Sequence, residues 1–293
     1  ELTTKDGKVL SSRKMKLATL PRTLARTGSF LVRGNHYQVS NQLRLRSGIY
    51  TTEKENGEFQ NFFNLAGGRR LTSEMNPDTG VFKLKIDQGS VELYPVLKAM
   101  GVEDSKMRTA WGDEVWATNK AKSSQKMEVV AKRAALSLTG KKTKDVESAG
   151  DALKSFFDAS SVDPDVTEVT LGKRFSALTP EALVASSREL LRVHRKEREP
   201  DDKDSLLFKS VHSVEDFLPE YMARATYGIG RRLKMRLDMK KNETVTAVLA
   251  PATFAKPLEG AFTRTALSAT TDQTNPIDML SAQHGITVMG EGG

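Results

Sequence analysis

Three features of this 293-residue chain predict an α+β fold. The first third alternates apolar and polar residues in short runs broken by turn residues. From Tyr94 to about Lys196 the pattern becomes helical and heavily charged. Two later stretches, Thr179-Pro180-Glu181 and Ser213-Val214-Glu215-Asp216, read as helix starts.

Taken in order, residues 1–20 are polar and basic, with Arg13, Lys14 and Lys16 ahead of Leu17, so a poorly anchored start is expected. Segments 29–32 and 36–45 read as strands joined across Arg33-Gly34-Asn35, where Gly-Asn supplies the positive φ of a tight hairpin. The turn Asn76-Pro77-Asp78-Thr79-Gly80 precedes a strand over 81–86, whose Lys83 and Lys85 face water while the alternate residues are buried. In the helical third, breaks are expected at Gly140, Gly150 and Asp163-Pro164. Val129, Val130, Ala134, Leu136 and Leu138 form an apolar group there. Thr179 as N-cap and Pro180 at the first helical position start a helix that should bury Leu183, Ser187, Leu190, Leu191 and His194. The acidic run 197–202 ends it as a solvated loop, with nothing nearby to complete an oxygen shell for a metal. A capping-box variant at Ser213 opens a long helix toward Asp238. Phe217, Leu218, Tyr221, Ala225 and Leu233 lie on its apolar face, and Gly228-Ile229-Gly230 is a candidate kink or break.

Bulk composition narrows the function classes. The length suggests about two domains. No apolar run approaches the roughly 20 residues that span a bilayer. The chain opens on Glu1 with no apolar leader segment, as a processed chain or a fragment would. It has no cysteine, which excludes disulfides, thiolate zinc sites and cysteine nucleophiles. His36, His194, His212 and His284 lack metal-ligand spacing. A formal charge of +8 favours a polyanionic partner, because Lys and Arg gain affinity by releasing phosphate counterions. No Gly-x-Ser-x-Gly elbow or Walker loop is present, and no third glycine follows Gly228 and Gly230 at dinucleotide-binding spacing. No catalytic residue and no metal ligand is assigned.

The run Asp272-Gln273-Thr274-Asn275-Pro276, followed by Gly290-Glu291-Gly292-Gly293, resembles the fork region of the β (second-largest) subunit of multisubunit DNA-directed RNA polymerases. Three further stretches resemble that family in the same order. Phe30 to Leu43 is similar to the protrusion hairpin and its Ser-Gln-Leu strand, with Gly48-Ile49-Tyr50 behind it. Pro95-Val96-Leu97-Lys98-Ala99-Met100-Gly101 is similar to the helix opening the lobe, and Pro200-Asp201-Asp202 through Val214 to the exit from the lobe. The resemblance implies a mixed β-sheet protrusion plus a mainly helical lobe, with the start of the fork at the C-terminal end. It divides the chain into protrusion (1–60), lobe (61–210), return to the protrusion (211–260) and fork (261–293).

The same resemblance implies a non-catalytic portion of a nucleotidyltransferase, forming one side of the DNA cleft and the fork beside the RNA–DNA hybrid. Partners would be a β′-like largest subunit, the remaining C-terminal part of β, template DNA and nascent RNA, with no membrane. The chain itself needs no cofactor; Mg2+ belongs on the largest subunit. Gln273, Asn275, Arg231, Arg232 and Arg46 are the candidate nucleic-acid contacts, and Asp272, Pro276, Gly290, Gly292 and Gly293 the candidate structural residues of the fork. Departures from the bacterial pattern, including Ala269, Ala282, Gly285 and Thr287, suggest a giant-bacteriophage enzyme with a split β, resistant to rifampicin. It would act in the cytoplasm of the bacterial host, with the virion as a second location. The competing reading is a basic nucleic-acid-binding structural or packaging protein without polymerase activity.

Overall fold

The computed structural model describes residues 1–3, 6–24, 28–66, 70–86, 89–123, 126–140, 142–240, 244–250, 252–271, 275–290 and 292. They fall into two units, 1–44 with 210–293, and 45–209. Both crossings occur inside strands. The expected protrusion boundary near residue 60 instead falls within a strand paired on both sides, so the residues around it go with the second unit.

The chain begins with an antiparallel pair, β1 (Leu2–Thr3) and β2 (Val9–Ser11). Next come β3 (Arg22–Leu24), β4 (Ser29–Val32), β5 (Asn35–Val39) and β6 (Asn41–Leu45). The hairpin between β4 and β5 turns on Arg33 (φ 50) and Gly34 (φ 84), both left-handed, while Asn35 is already in the strand. The two-residue turn is therefore placed one residue earlier than Gly-Asn suggested, at the positions where a primed turn needs positive φ. The single strand expected over 36–45 is two strands. Ser40 separates them, and β5 and β6 belong to different sheets.

In the second unit, β7 (Gly48–Glu53), β8 (Phe59–Asn64), β9 (Arg70–Met75), β10 (Phe82–Ile86) and β11 (Gly89–Glu92) form a five-stranded antiparallel meander. Phe82, Leu84 and Ile86 are buried, and Lys85 on the other face pairs with Glu74 at 2.5 Å. Seven helices follow: α1 (Leu93–Ala99), α2 (Asp104–Trp111), α3 (Asp113–Ser123), α4 (Met127–Thr139), α5 (Val146–Asp158), α6 (Pro164–Leu171) and α7 (Pro180–His194). Their caps are written in the sequence. Asp145 and Ser148 make a reciprocal capping box, Asp163 accepts from the Asp165 N–H ahead of Pro164, and Thr179 accepts from Ala182. The core joins sheet to helices, with the Phe82 ring tilted against Trp111 at 5.0 Å between centroids, and Trp111 Nε1 donating to Ser187 Oγ at 2.7 Å.

Three expectations about these helices change. Gly150 lies inside α5, where an added Cβ would stand 1.9 Å from the Ala99 carbonyl oxygen, so this glycine serves helix–helix approach and ends nothing. In α4 the buried residues are Ala131, Ala134 and Ala135, whereas Val129 and Leu136 are exposed. In α7 Val193 is buried and His194 is exposed.

The acidic loop is also not simply solvated. The Asp201 carboxylate is 5% exposed; it accepts from the Thr51 N–H at 2.8 Å and from Arg198 Nη2 at 2.5 Å. Arg198 also meets the buried Glu189, which Arg188 and Arg192 flank as well. Burial pushes the Asp201 carboxyl up from 3.8 to about 6, although the Thr51 N–H and Arg198 pull it down. The folded chain therefore takes up this proton near pH 6 and the unfolded chain only near 3.8. The stability it contributes is fully present below the lower value and lost as pH rises through the upper one. Asp201→Asn keeps an acceptor for Thr51 without the buried charge. In denaturant titrations at several pH values it is expected to be more stable than wild type above pH ~7, by on the order of 1–3 kcal/mol. The difference should vanish below pH ~4. A variant less stable than wild type above pH ~7 would show that the Arg198 pair outweighs burial.

After a 3-10 turn at Leu206–Phe208, the chain re-enters the first unit through β12 (Lys209–His212) and α8 (Val214–Lys240). The Ser213 N–H donates to Asp216 Oδ2 at 3.0 Å, the backbone half of the expected box. α8 runs unbroken through Gly228 and Gly230. Then come α9 (Val245–Val248), α10 (Ala252–Thr263), β13 (Ser268–Thr270), α11 (Pro276–His284) and β14 (Ile286–Thr287). Two sheets result, in the orders β13-β5-β4-β3 and β12-β6-β14. Val32, Ala261 and Phe262 form the core here, with the Phe30 ring tilted against Phe262 at 4.9 Å between centroids. Among the described residues no helix is long and apolar enough to cross a membrane.

Candidate nucleic-acid interface

Two short strands near the C-terminal end, β13 and β14, pair with strands laid down near the start of the chain. β13 pairs antiparallel with β5, Ala269 opposite Gln38, and the Ser40 N–H donates to the Leu267 carbonyl at 2.9 Å. β14 runs parallel to β6, Ile286 opposite Asn41 and Thr287 opposite Gln42. Between them, Gln38 Nε2 holds the Met279 carbonyl of α11 at 3.1 Å.

Gln42 and Arg44 form the seat of this segment. Gln42 is fully buried; its Nε2 donates to the Met289 carbonyl at 2.7 Å and its Oε1 accepts from Arg44 Nε at 2.5 Å. Arg44 Nη1 reaches both carboxylate oxygens of Glu220, at 2.9 and 2.7 Å, and its guanidinium lies 4.7 Å from the Phe217 ring centroid. Every polar end of the buried glutamine is thus satisfied, as burial demands. Gly290 (φ 92) and Gly292 (φ 94) close over this seat. A Cβ on Gly290 would stand 3.2 Å from Gln42 Nε2, and one on Gly292 3.4 Å from Arg44 Nε. The left-handed backbone calls for glycine at both positions, and at Gly290 the close approach adds to it. Sequence reading had picked out Ser40-Asn41-Gln42-Leu43 and the glycine motif separately; the fold brings them together across nearly the whole chain.

The other candidates are distributed differently. Asp272, Gln273 and Gly293 lie outside the described residues. Asn275 is the N-cap of α11, its Oδ1 accepting from the Ile277 N–H at 3.0 Å, with Pro276 at the first helical position. Its carbonyl oxygen therefore has an architectural task. α11 buries none of its side chains, and Ile277, Leu280, Ile286, Val288 and Met289 are all exposed. Arg231 and Arg232 lie on the exposed side of α8, Arg232 donating to the Gly228 carbonyl at 3.2 Å.

Arg46 belongs to the second unit. Its Nε and Nη2 donate to Asp163 Oδ2 at 2.9 and 2.6 Å, and Asp165 lies 3.6 Å away. With two carboxylates around it, Arg46 ties the approach to β7 onto the start of α6, and its charge is already compensated. Among the described residues no three acidic, histidine or cysteine side chains converge as a metal site. The roles of Gln42, Arg44 and Glu220 were missed because a buried glutamine on a strand carries no local signal of its distant partners.

No protein-family model matches the chain. Against curated proteins it is 24% identical over 314 aligned positions to the DNA-directed RNA polymerase subunit beta of Gloeobacter violaceus, covering all of this chain and 28% of that subunit. It is 24% identical over 120 positions to the same subunit of Rhodopirellula baltica, covering 40% of this chain and 10% of the relative. With the subunit of Bacteroides fragilis the identity is 25% over 118 positions, covering 40% and 9%. The chain spans little more than a quarter of the relative that it matches along its whole length. By these alignments it bears a weak, β-like relation to the β subunit of DNA-directed RNA polymerase.

Proposed function

We propose that this chain is a non-catalytic portion of the β subunit of a DNA-directed RNA polymerase, forming one side of the DNA cleft and the beginning of the fork beside the RNA–DNA hybrid. The observation that carries this reading is a convergence. Motifs chosen for their family resemblance, Ser40-Asn41-Gln42-Leu43 and Gly290 with Gly292, meet in one hydrogen-bonded assembly. The match to a β subunit along the whole chain supports the same conclusion. In this reading Asp272 and Pro276 hold the fork loop, while Gln273, the free amide edge of Asn275, Arg231 and Arg232 face nucleic acid. A β′-like largest subunit supplies the Mg2+ ions and their carboxylates, and the remaining part of β covers the exposed apolar residues of 286–289. A giant-bacteriophage origin with a split β accounts for the departures at Ala269, Ala282 and Gly285, and places the enzyme in the host cytoplasm or the virion.

The fork assignment is tested by placing a photo-crosslinking residue at Ile277, 75% exposed at the start of α11. In a halted transcription complex it should capture template DNA or RNA close to the growing end. An active complex that yields adducts only with protein would overturn the fork placement.

A further inference from the structure

We infer that the groove between α2 and α7 docks a short acidic segment of a partner protein, which seats its apolar side chains on the groove floor and meets Lys106, Lys173 and Arg188 with its carboxylates. The site lies wholly within residues 45–209 and uses none of the residues that the polymerase reading assigns. α7 presents to it the stripe Glu181, Val184, Ala185 and Arg188, spaced i, i+3, i+4 and i+7 along one helix face. The charges stand at the two ends of that stripe and the apolar residues in its middle. α2 supplies Lys106, Thr109 and Ala110, and the buried Leu171 and Phe175 complete the floor. Ala110, Gly172 and Ala185 are small, which leaves an open groove of about 610 Å3 where bulkier side chains would fill the space. That volume lies within the roughly 300–1,000 Å3 of binding clefts.

Charge complementarity names the occupant. Among the described residues that line the groove, Lys106, Lys173 and Arg188 are cations and Glu181 is the one acid. Lys106 Nζ and Lys173 Nζ both lie 3.4 Å from Glu181, one at each carboxylate oxygen, with all three side chains more than half exposed. Exposed pairs of this kind contribute little, so a partner's carboxylates can take over either lysine at small cost. Lys173, and then Lys106, hold the Glu181 carboxyl below its ordinary value, as a locally positive field does. Lys173 Nζ also sits 5.3 Å from the Phe175 ring centroid, which places its charge beside the apolar floor. At the other end of the stripe Arg188 shares the buried Glu189 with Arg192 and Arg198, three guanidiniums on one carboxylate. The groove thus keeps a surplus of positive charge around an apolar centre. A nucleic-acid strand fits it less well, because base stacking asks for an exposed ring and Phe175 is only 7% exposed. Apolar anchors flanked by acids, as on an amphipathic segment laid into a groove, match floor and rim together.

The test starts from a display library of random peptides, selected on the full chain and counter-selected on an Ala185→Trp variant, whose indole fills the groove. The enriched peptides are expected to carry Leu, Phe or Trp flanked by Asp or Glu. In fluorescence anisotropy the tightest of them, labelled and free in solution, should bind Ala185→Trp roughly 10- to 100-fold more weakly than wild type. Lys106→Glu combined with Lys173→Glu should weaken it roughly 3- to 30-fold, and added salt should lower the wild-type affinity. Melting curves report whether each variant keeps the fold. The charge reversal alters only exposed side chains, so it serves for the counter-selection if Ala185→Trp is unstable. A selection that yields no groove-dependent peptide, enriched peptides without acids, or full affinity in the charge-reversed variant would each overturn the inference. A labelled oligothymidylate that loses affinity in Ala185→Trp as strongly as the peptide would also overturn it, by giving the groove to nucleic acid. Because the chain is tested alone, such a failure is separate from a failure to find polymerase partners.

Discussion

Purified alone, the chain should incorporate no nucleotide into RNA on any template, and activity should appear only when a β′-like subunit and the rest of β are added. Nucleotidyl transfer needs clustered carboxylates that hold two magnesium ions against the attacking and leaving oxygens. Several of the more buried acids among the described residues are engaged elsewhere: Asp163 with Arg46, Glu189 and Asp201 with Arg198, and Glu220 with Arg44. Moving Asp163 or Glu220 toward a metal would strip a half-buried arginine of its counter-charge. The expected difference between the isolated and the assembled protein is all or none. Templated synthesis by the pure polypeptide, measured by incorporation of labelled nucleotides, would contradict this account.

The assembled enzyme should transcribe at rifampicin concentrations that silence a sensitive bacterial polymerase. In the family that this chain resembles, the drug pocket is lined by the fork segment and depends on polar side chains. Here Ala269 and Ala282 offer no side-chain hydrogen bond and Gly285 no side chain, while Thr287 and the undescribed Asp272 and Gln273 retain part of the polar set. Ala269 lies in β13, held in register against β5, and Ala282 is on α11, so backbone pairing fixes their places and neighbouring side chains cannot easily substitute. Each missing hydrogen bond costs about 0.5–1.5 kcal/mol. Three together weaken binding roughly 10- to 1000-fold if they add, which contacts in one pocket often do not. Parallel transcription assays across a drug series measure the shift. Equal sensitivity would show that the alignment through 269–287 is wrong.

Local chemistry was legible in the sequence where it depends on near neighbours. Thr179 and Pro180 start α7, Asp163-Pro164 interrupts the helical third, and a tight turn joins β4 to β5. What depends on distant partners was not. Gly150 reads as a helix breaker until the Ala99 carbonyl is found against it. Arg46 reads as a phosphate contact until Asp163 and Asp165 are found beside it. The acidic loop reads as solvated until Thr51 is found hydrogen-bonded to Asp201. The seat made by Gln42, Arg44 and Glu220 is the extreme case, since its members take meaning only when β14 lies alongside β6. The family resemblance supplied what periodicity could not, because its motifs are spaced by the fold and not by the helix or strand repeat.

The most direct test of the central claim is affinity purification of the tagged chain from cells in which it is naturally made, followed by identification of its stoichiometric partners. The account predicts a large polypeptide carrying the aspartate cluster of a polymerase largest subunit, together with the sequence that completes β, in a complex that synthesises RNA. Recovery of the chain by itself, or with packaging proteins and no polypeptide bearing such a cluster, would contradict it.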